Sequence, residues 1–369
     1  MADDERTIKH ARLTGFLDRH KLDGVWLQSR ANFAWITGGR RNHVSVATPV
    51  GASAIYATRQ RLTCFASAIE APRMRHEELI DTDIETIAFP WWDPAAAKRT
   101  IGDVLGDGRV AADHDTTGLN LPPLPGDWAE LRWSLTPEEV ARYREGGRRA
   151  SAAIEAACHE LQRGMTEQQI AGLLNGHLYA QGTVPMVALV AADERIGRYR
   201  HPIPTGNRLA RCAMLVSGSE FGGLVSSLTR FVHFGPRSGE LAARHQAVCN
   251  VDAAVITATQ VGRTLGEIFA TLQRAYAANG GANQWHLHHQ GGSAGYLGRE
   301  AIANPASTVK VVANQAFAWN PSMIGVKSED TVLVSSATPE VLTVHSGAWP
   351  TVLGEYEGQR LARPGMLVR

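Results

Sequence analysis

Apolar positions recur along this chain first with helical spacing and then with strand spacing. Ile8, Leu13, Phe16 and Leu17 fall on one face of a helix predicted over 5–20, and the LDGVWLQ that follows reads as a buried strand. Strand-like runs at 52–57, 61–66 and 84–88 continue an α/β unit. The Pro-rich segment LNLPPLPGDW, residues 119–128, reads as a linker. Beyond it, Thr136 caps a new helix, Pro137 takes its first position and Glu139 reaches back to the cap. That helix runs to about Leu161 and stops at Gly164, after which Thr166 and Gln169 repeat the capping box and launch a helix through Leu174 and Leu178 to Gly182. Helices over 238–262 and from Leu265 to Asn279, after Thr264, precede the last strands. Between the two helix pairs, the stretch from Met214 to Gly235 turns at Gly222 and Gly223 and resumes as an alternating strand through Leu228, Arg230, Val232 and Phe234, which predicts a hairpin rising out of a core. The whole reads as an α/β (α+β) chain of two domains, 1–133 and 134–369.

Composition narrows the picture. The 369 residues are ample for two cores, and 44% hydrophobic with 20% charged residues is the balance of a soluble globular protein. Lys plus Arg number 37 against 36 Asp plus Glu, so no charge excess asks for nucleic acid or an anionic membrane. Cys64, Cys158, Cys212 and Cys249 lie far apart, which argues against a zinc ribbon, a redox pair and a disulfide framework. The N-terminus, MADDERTIKHARL, is charged where a signal peptide needs an apolar run, and no window approaches a membrane span, so the expected location is the cytoplasm. Trp91 and Trp92, ahead of Asp93-Pro94, read as packing residues in preference to a pocket lining.

The candidate chemistry lies in four phrases of the second domain. Tyr199-Arg200-His201-Pro202 comes first, and then the hairpin with Ser217 near the end of one strand and Ser227 at the start of the next, expected to face one cavity. The third is Trp285-His286-Leu287-His288-His289-Gln290-Gly291-Gly292 with Arg299-Glu300 downstream, and the fourth joins Ala318-Trp319-Asn320-Pro321 to Val326-Lys327-Ser328-Glu329-Asp330-Thr331-Val332. If 286–289 is a strand, His286 and His288 point one way and His289 the other. Arg230 and Arg299 have the fork that grips a carboxylate, although an internal ion pair is the plainer reading, and for Arg230 the preferred one. Gly291, Gly292 and Gly295 lack the spacing of a phosphate loop.

Together these phrases and the surviving Thr229-Arg230 pair resemble the creatinase, aminopeptidase P and methionine aminopeptidase family, with the G-V-K-S-E-D-T-V-L-V run as the most specific part. Asn32-Phe33-Ala34-Trp35-Ile36-Thr37-Gly38 likewise resembles a phrase of the amino-terminal domain in the creatinase and prolidase branch. The resemblance implies a creatinase-like N-terminal domain followed by a pita-bread catalytic domain. Carried over position by position, its five metal-ligand places fall on Ser217, Ser227, a histidine that is His289 or His288, Asn320 and Glu329. Two divalent ions held close together need several anionic oxygens to offset their mutual repulsion, and one carboxylate does not supply them. No metal and no other cofactor is therefore expected.

Creatinase hydrolyses its substrate without a metal, and His201 matches the imidazole that serves there as acid and base. A histidine suits the task because its ordinary pKa near 6.5 lets it take and return a proton around neutrality. The resemblance then implies catalytic roles for His201, His289 and Glu329, and substrate-binding roles for Ser217, Ser227, Asn320, His288, Arg299 and Glu300. It implies a small-molecule substrate and a homodimer in which Trp35, Arg40 or Arg41 approaches a neighbour's pocket. The leading expectation is a metal-independent hydrolase of a carbon–nitrogen bond in a small polar, amino-acid-like substrate. The alternatives are a lyase or isomerase on the same residues, a binding protein that has lost its chemistry and, last, a metal-dependent Xaa-Pro aminopeptidase.

Overall fold

The computed structural model describes residues 4–335, 338–344 and 347–369. The chain divides into two compact units, the residues up to 132 with 136–139, and 133–135 with 140–369.

The first unit opens with the helix Glu5–His20, capped by Asp4 and burying Leu13, Phe16 and Leu17. Its five-stranded mixed sheet runs in the order Glu85–Phe89, Leu62–Ser67, Val50–Thr58, Gly24–Ser29 and Val110–Ala112. The segment expected to be a linker is instead part of this unit. Ala112 and Pro122–Leu124 bond each other's backbones, and the buried Trp128 donates to Asn32 Oδ1 at 2.9 Å. The prolines set an extended backbone that lies along the sheet edge, and Leu119 and Leu121 pack on its core. Trp91 and Trp92 do not pack inward: they meet edge to face at 5.9 Å and are 61% and 66% exposed. Trp35, expected near a neighbour's pocket, is fully buried beside Trp128.

In the second unit, the capping boxes behave as their spacing dictates. Thr166 with Gln169 and Thr264 with Glu267 satisfy both backbone donors at the starts of the helices Glu167–Ala180 and Leu265–Ala278. The helices Pro137–Glu160 and Gly239–Ala258 complete the helical set used here. Between them lie two sheets. One has four strands in the order Met366–Val368, Leu224–His233, Cys212–Phe221 and Val184–Ala192; the other has five, centred on Gly291–Ala294, Gln315–Trp319 and Asp330–Val334. The hairpin Cys212–Phe221/Leu224–His233 is buried on both faces. Leu215, Leu228 and Val232 pack with Ile154, Leu174 and Leu178, whereas Met214, Val216 and Phe231 pack with Val251, Phe317 and Trp319.

Arg230 meets Asp330 at 3.1 Å within a buried ion-pair network, as its plainer reading held. All four cysteines are free thiols, Cys212 half-buried and the others buried, and burial pushes Cys64, Cys212 and Cys249 up to about 12. Among the described residues, no helix is long and apolar enough to cross a membrane.

Candidate active site

Hairpin register decides which serine reaches the site. Ser217 pairs with Leu228, and Gly218 pairs with Ser227. Residues directly opposite one another share a face, so Ser217 and Ser227 emerge on opposite sides and do not meet in one cavity. Ser217 lies on the side of Leu215 and Leu228, 1% exposed, and among the described residues its hydroxyl has no hydrogen-bond partner. Ser227 shares the other face with Thr229, whose hydroxyl donates to Glu329 Oε2 at 2.7 Å. The position opposite Thr229 on that face is Val216, an apolar residue.

The histidines converge, and they do so because 286–289 is not a strand. Gln284–Leu287 forms one 3-10 turn, after which His288 is extended. His286 is left exposed, stacked on Trp285 with ring centroids 3.6 Å apart. His288 and His289 both turn toward His201, at centroid distances of 4.8 and 5.5 Å. His288 Nε2 and His201 Nε2 are 3.0 Å apart, and His288 Nδ1 is 3.4 Å from Ser322 Oγ. Gln290 donates to the His288 carbonyl while its own side-chain oxygen accepts from Tyr276 at 2.7 Å, a frame that fixes the turn. The ligating nitrogens of the three histidines lie within 4.8 Å of one another, so among the described residues these are the ones that could meet at a single metal ion.

Glu329 is buried and doubly engaged. Lys327 Nζ lies 2.7 Å from its Oε2, and Arg299 Nη2 lies 3.3 Å from its Oε1. Arg299 also reaches Ser227 Oγ at 3.3 Å and donates to the Gly298 carbonyl at 2.6 Å, and its pairing with Glu329 is the internal ion pair of the plainer reading. Glu300 Oε1 accepts from the backbone N–H of Leu297 at 3.2 Å. Asn320 is 2% exposed, and among the described residues its Oδ1 has no hydrogen-bond partner. Lys327 and Ser322 had no assigned role in the sequence reading. Lys327 was findable, because two residues apart on extended backbone place it on the Glu329 side. Ser322 carried no such signal.

Charge orders the titrations. Burial, then Lys327, pushes the His288 imidazole down to about 2, and burial with Arg299 pushes His289 down to about 4. His201, exposed at its surface, is lowered by partial desolvation among these groups and then by Lys327. Burial works against ionised Glu329, but Lys327 and Arg299 outweigh it and hold the carboxyl down to about 2.

This donor set does not fit the pair of divalent cations that the family resemblance implies. Of the positions carried over, Ser227 and Asn320 are neutral, Ser217 points elsewhere, and the single carboxylate is already neutralised by an ammonium and a guanidinium. A divalent ion on the three imidazoles would stand beside those same two cations with one carboxylate to share.

A two-unit α/β chain with a buried central hairpin, and with histidines and a terminal Glu-Asp-Thr strand converging on it, is the pita-bread class of protein. Residues 141–336 match the model of metallopeptidase family M24, more than half of the chain, and the chain belongs to that family. It is similar to a Xaa-Pro dipeptidase of Pyrococcus furiosus, 20% identical over 348 residues that cover 90% of this chain and 96% of the relative. An uncharacterised peptidase of Staphylococcus aureus is 22% identical over 223 residues, 58% of this chain and 63% of the relative, so that match spans less than two thirds of its length. Among solved structures, an X-Pro aminopeptidase from Thermotoga maritima superposes with a TM-score of 0.77 at 16% identity, covering 98% of this chain and 99% of that one.

Proposed function

We propose that this chain is a metal-independent hydrolase of a carbon–nitrogen bond in a small polar, amino-acid-like substrate, with His201 as the proton carrier. The Lys327–Glu329 ion pair carries this reading: the one carboxylate at the site is held by an ammonium at 2.7 Å, the contact a metal would need.

The histidine pair supplies the proton chemistry. When His201 Nε2–H donates to His288 Nε2, and His288 Nδ1–H donates to Ser322 Oγ, His201 Nδ1 keeps a bare lone pair. That nitrogen takes a proton from water as the oxygen attacks the carbon of the scissile bond, and returns it to the departing nitrogen. Burial, and after it Lys327, keeps His288 neutral, so the proton is not captured by the second imidazole. His289, with its ring centroid 5.5 Å from that of His201 and 4.7 Å from that of His288, donates to the developing oxyanion in this reading. Glu329 orients Lys327 and Arg299. The names of the relatives, Xaa-Pro dipeptidase and X-Pro aminopeptidase, support a dipeptide or its amide analogue as the first substrates to try. The working form proposed is a cytoplasmic homodimer.

The test is elemental analysis of protein purified without chelator, followed by turnover of a panel of dipeptides and small amides before and after metal stripping. Turnover that survives stripping and disappears in His201→Ala supports the proposal. Turnover lost on stripping and restored by a divalent ion defeats it.

A further inference from the structure

The nearly balanced charge of the chain conceals a local excess at the end of the hairpin away from Ser227. His233 closes the strand Leu224–His233, about 20 Å beyond Ser227 at the rise of a strand. Phe234 follows it, and two guanidinium carbons lie over its ring, Arg163 at 5.6 Å and Arg369 at 5.5 Å from the centroid. Because they share one ring, the two are no further apart than those distances together. Arg369 Nη1 donates to the Leu161 carbonyl at 2.5 Å, Arg208 Nη1 to the Gly164 carbonyl at 2.7 Å, and Arg163 Nη2 to the Phe234 carbonyl at 3.3 Å. Leu161 and Gly164 belong to one short turn and are at most about 11 Å apart, so three guanidiniums gather on a single segment. Arg211, whose carbonyl accepts from the Phe234 N–H at 2.7 Å, flanks them.

All four arginines are exposed, and among the described residues none has a carboxylate partner. Other arginines of this chain are neutralised: Arg144 by Glu340 at 2.8 Å, Arg195 by Glu167, and Arg363 by Asp252 and Asp330. The acidic groups beside these segments are otherwise engaged. Glu160 is held by His177 at 2.9 Å, and Asp193 accepts the backbone N–H groups of Ala210, Arg211 and Cys212. A carbonyl fixes a guanidinium without neutralising it, and each fork keeps further N–H groups for a ligand.

We infer that this end of the hairpin binds a small ligand carrying two or more linked phosphates, at a site separate from the imidazole cluster. Guanidinium forks match phosphate oxygens in pairs. Forks spread along a whole turn exceed the span of one phosphate and suit a linked row of them. The patch is confined to this turn in a chain of balanced charge, which lacks the long basic stripe that a nucleic acid calls for. The inference does not depend on the hydrolase reading, because none of its residues belongs to that site.

Titration calorimetry on the full chain at about 0.15 M salt tests it, since surface attraction without a formed site is largely screened there. The probes are tripolyphosphate, pyrophosphate, inorganic phosphate and citrate, with a single-stranded DNA oligonucleotide titrated in parallel. Tripolyphosphate is expected to bind most tightly, at least about tenfold more tightly than inorganic phosphate or citrate. Arg163→Gln and Arg208→Gln should each weaken it about tenfold, the worth of one charge-assisted contact. Arg144→Gln, which removes an exposed guanidinium outside the patch, should leave it unchanged. These positions are exposed, so all three variants should fold, and circular dichroism checks that they do. Failure to bind tripolyphosphate, citrate binding as tightly, DNA binding more tightly, or the same affinity in all three variants overturns the inference.

Discussion

Lys327 Nζ sits 2.7 Å from Glu329 Oε2, close enough to the gathered imidazoles of His201, His288 and His289 to act on all three. The pair ties the electrostatics of the whole site together, because Lys327 depresses all three imidazoles while holding the carboxylate ionised. Burial lowers the pKa of the Lys327 ammonium and the adjacent Glu329 works against that fall, so its charge is tied to the ion pair.

Lys327→Gln is expected to move the acid limb of the kcat/KM profile to higher pH. His201 acts as a base only when neutral, and Lys327 lowers its pKa. Removing that repulsion, and freeing Glu329 to attract the proton, favours the charged imidazole, so more hydroxide is needed to clear it. A limb that stays in place or moves to lower pH would contradict the assignment of His201 as base.

Deleting the imidazole itself gives a larger effect. His201→Ala should lower kcat by roughly 100- to 10,000-fold, the usual worth of acid–base catalysis. His201 is exposed, so circular dichroism and thermal unfolding should be nearly unchanged. Ser322→Ala should cost less, about tenfold in kcat, with an altered pH profile because the hydroxyl sets the His288 tautomer; Ser322→Thr should restore the profile. An unaltered profile in Ser322→Ala would make that serine merely structural.

The two hairpin serines should respond oppositely to a new carboxylate. Ser227→Asp places the charge against Arg299, 3.3 Å from the present hydroxyl, and should fold. Ser217→Asp buries a charge between Leu215 and Leu228, on a face whose guanidinium, Arg230, is already paired with Asp330, and should destabilise by several kcal/mol, or prevent folding. Denaturant unfolding of both variants checks the register directly. Equal tolerance would mean that both side chains share a face.

Acid should weaken the fold in a defined window. Burial pushes His245 and His289 down to about 4 and His288 lower still. Each takes up a proton more readily unfolded, near pH 6.5, than folded. Their contribution is therefore fully present above about pH 6.5 and is lost as pH falls toward 4, where the unfolded chain binds more protons. His245→Gln, in the helix Gly239–Ala258, should flatten the slope of unfolding free energy against pH in that window, by up to about 1.4 kcal/mol per pH unit. A slope unchanged from the parent protein would show that His245 titrates normally.

Elements defined by contacts within four residues were legible in the chain. The helix Glu5–His20, the capping boxes at Thr136 and Thr166, and the long helix ending ahead of Gly164 follow from spacing alone, since caps and amphipathic faces are local. The Pro-rich segment misled because proline reports backbone shape and not what the backbone lies against. The turn at Gln284–Leu287 was missed because four residues make too short a window for periodicity.

By itself the sequence determined the family, the order of helices and strands, and the poverty of carboxylates at the expected metal positions. Only the tertiary structure decided that Ser217 faces away from Ser227, that His288 and His289 both reach His201, and that Lys327 claims Glu329. The physical reason is the two-residue period of a strand: a shift of one position in cross-strand pairing exchanges its faces, and that pairing is set by contacts between distant segments.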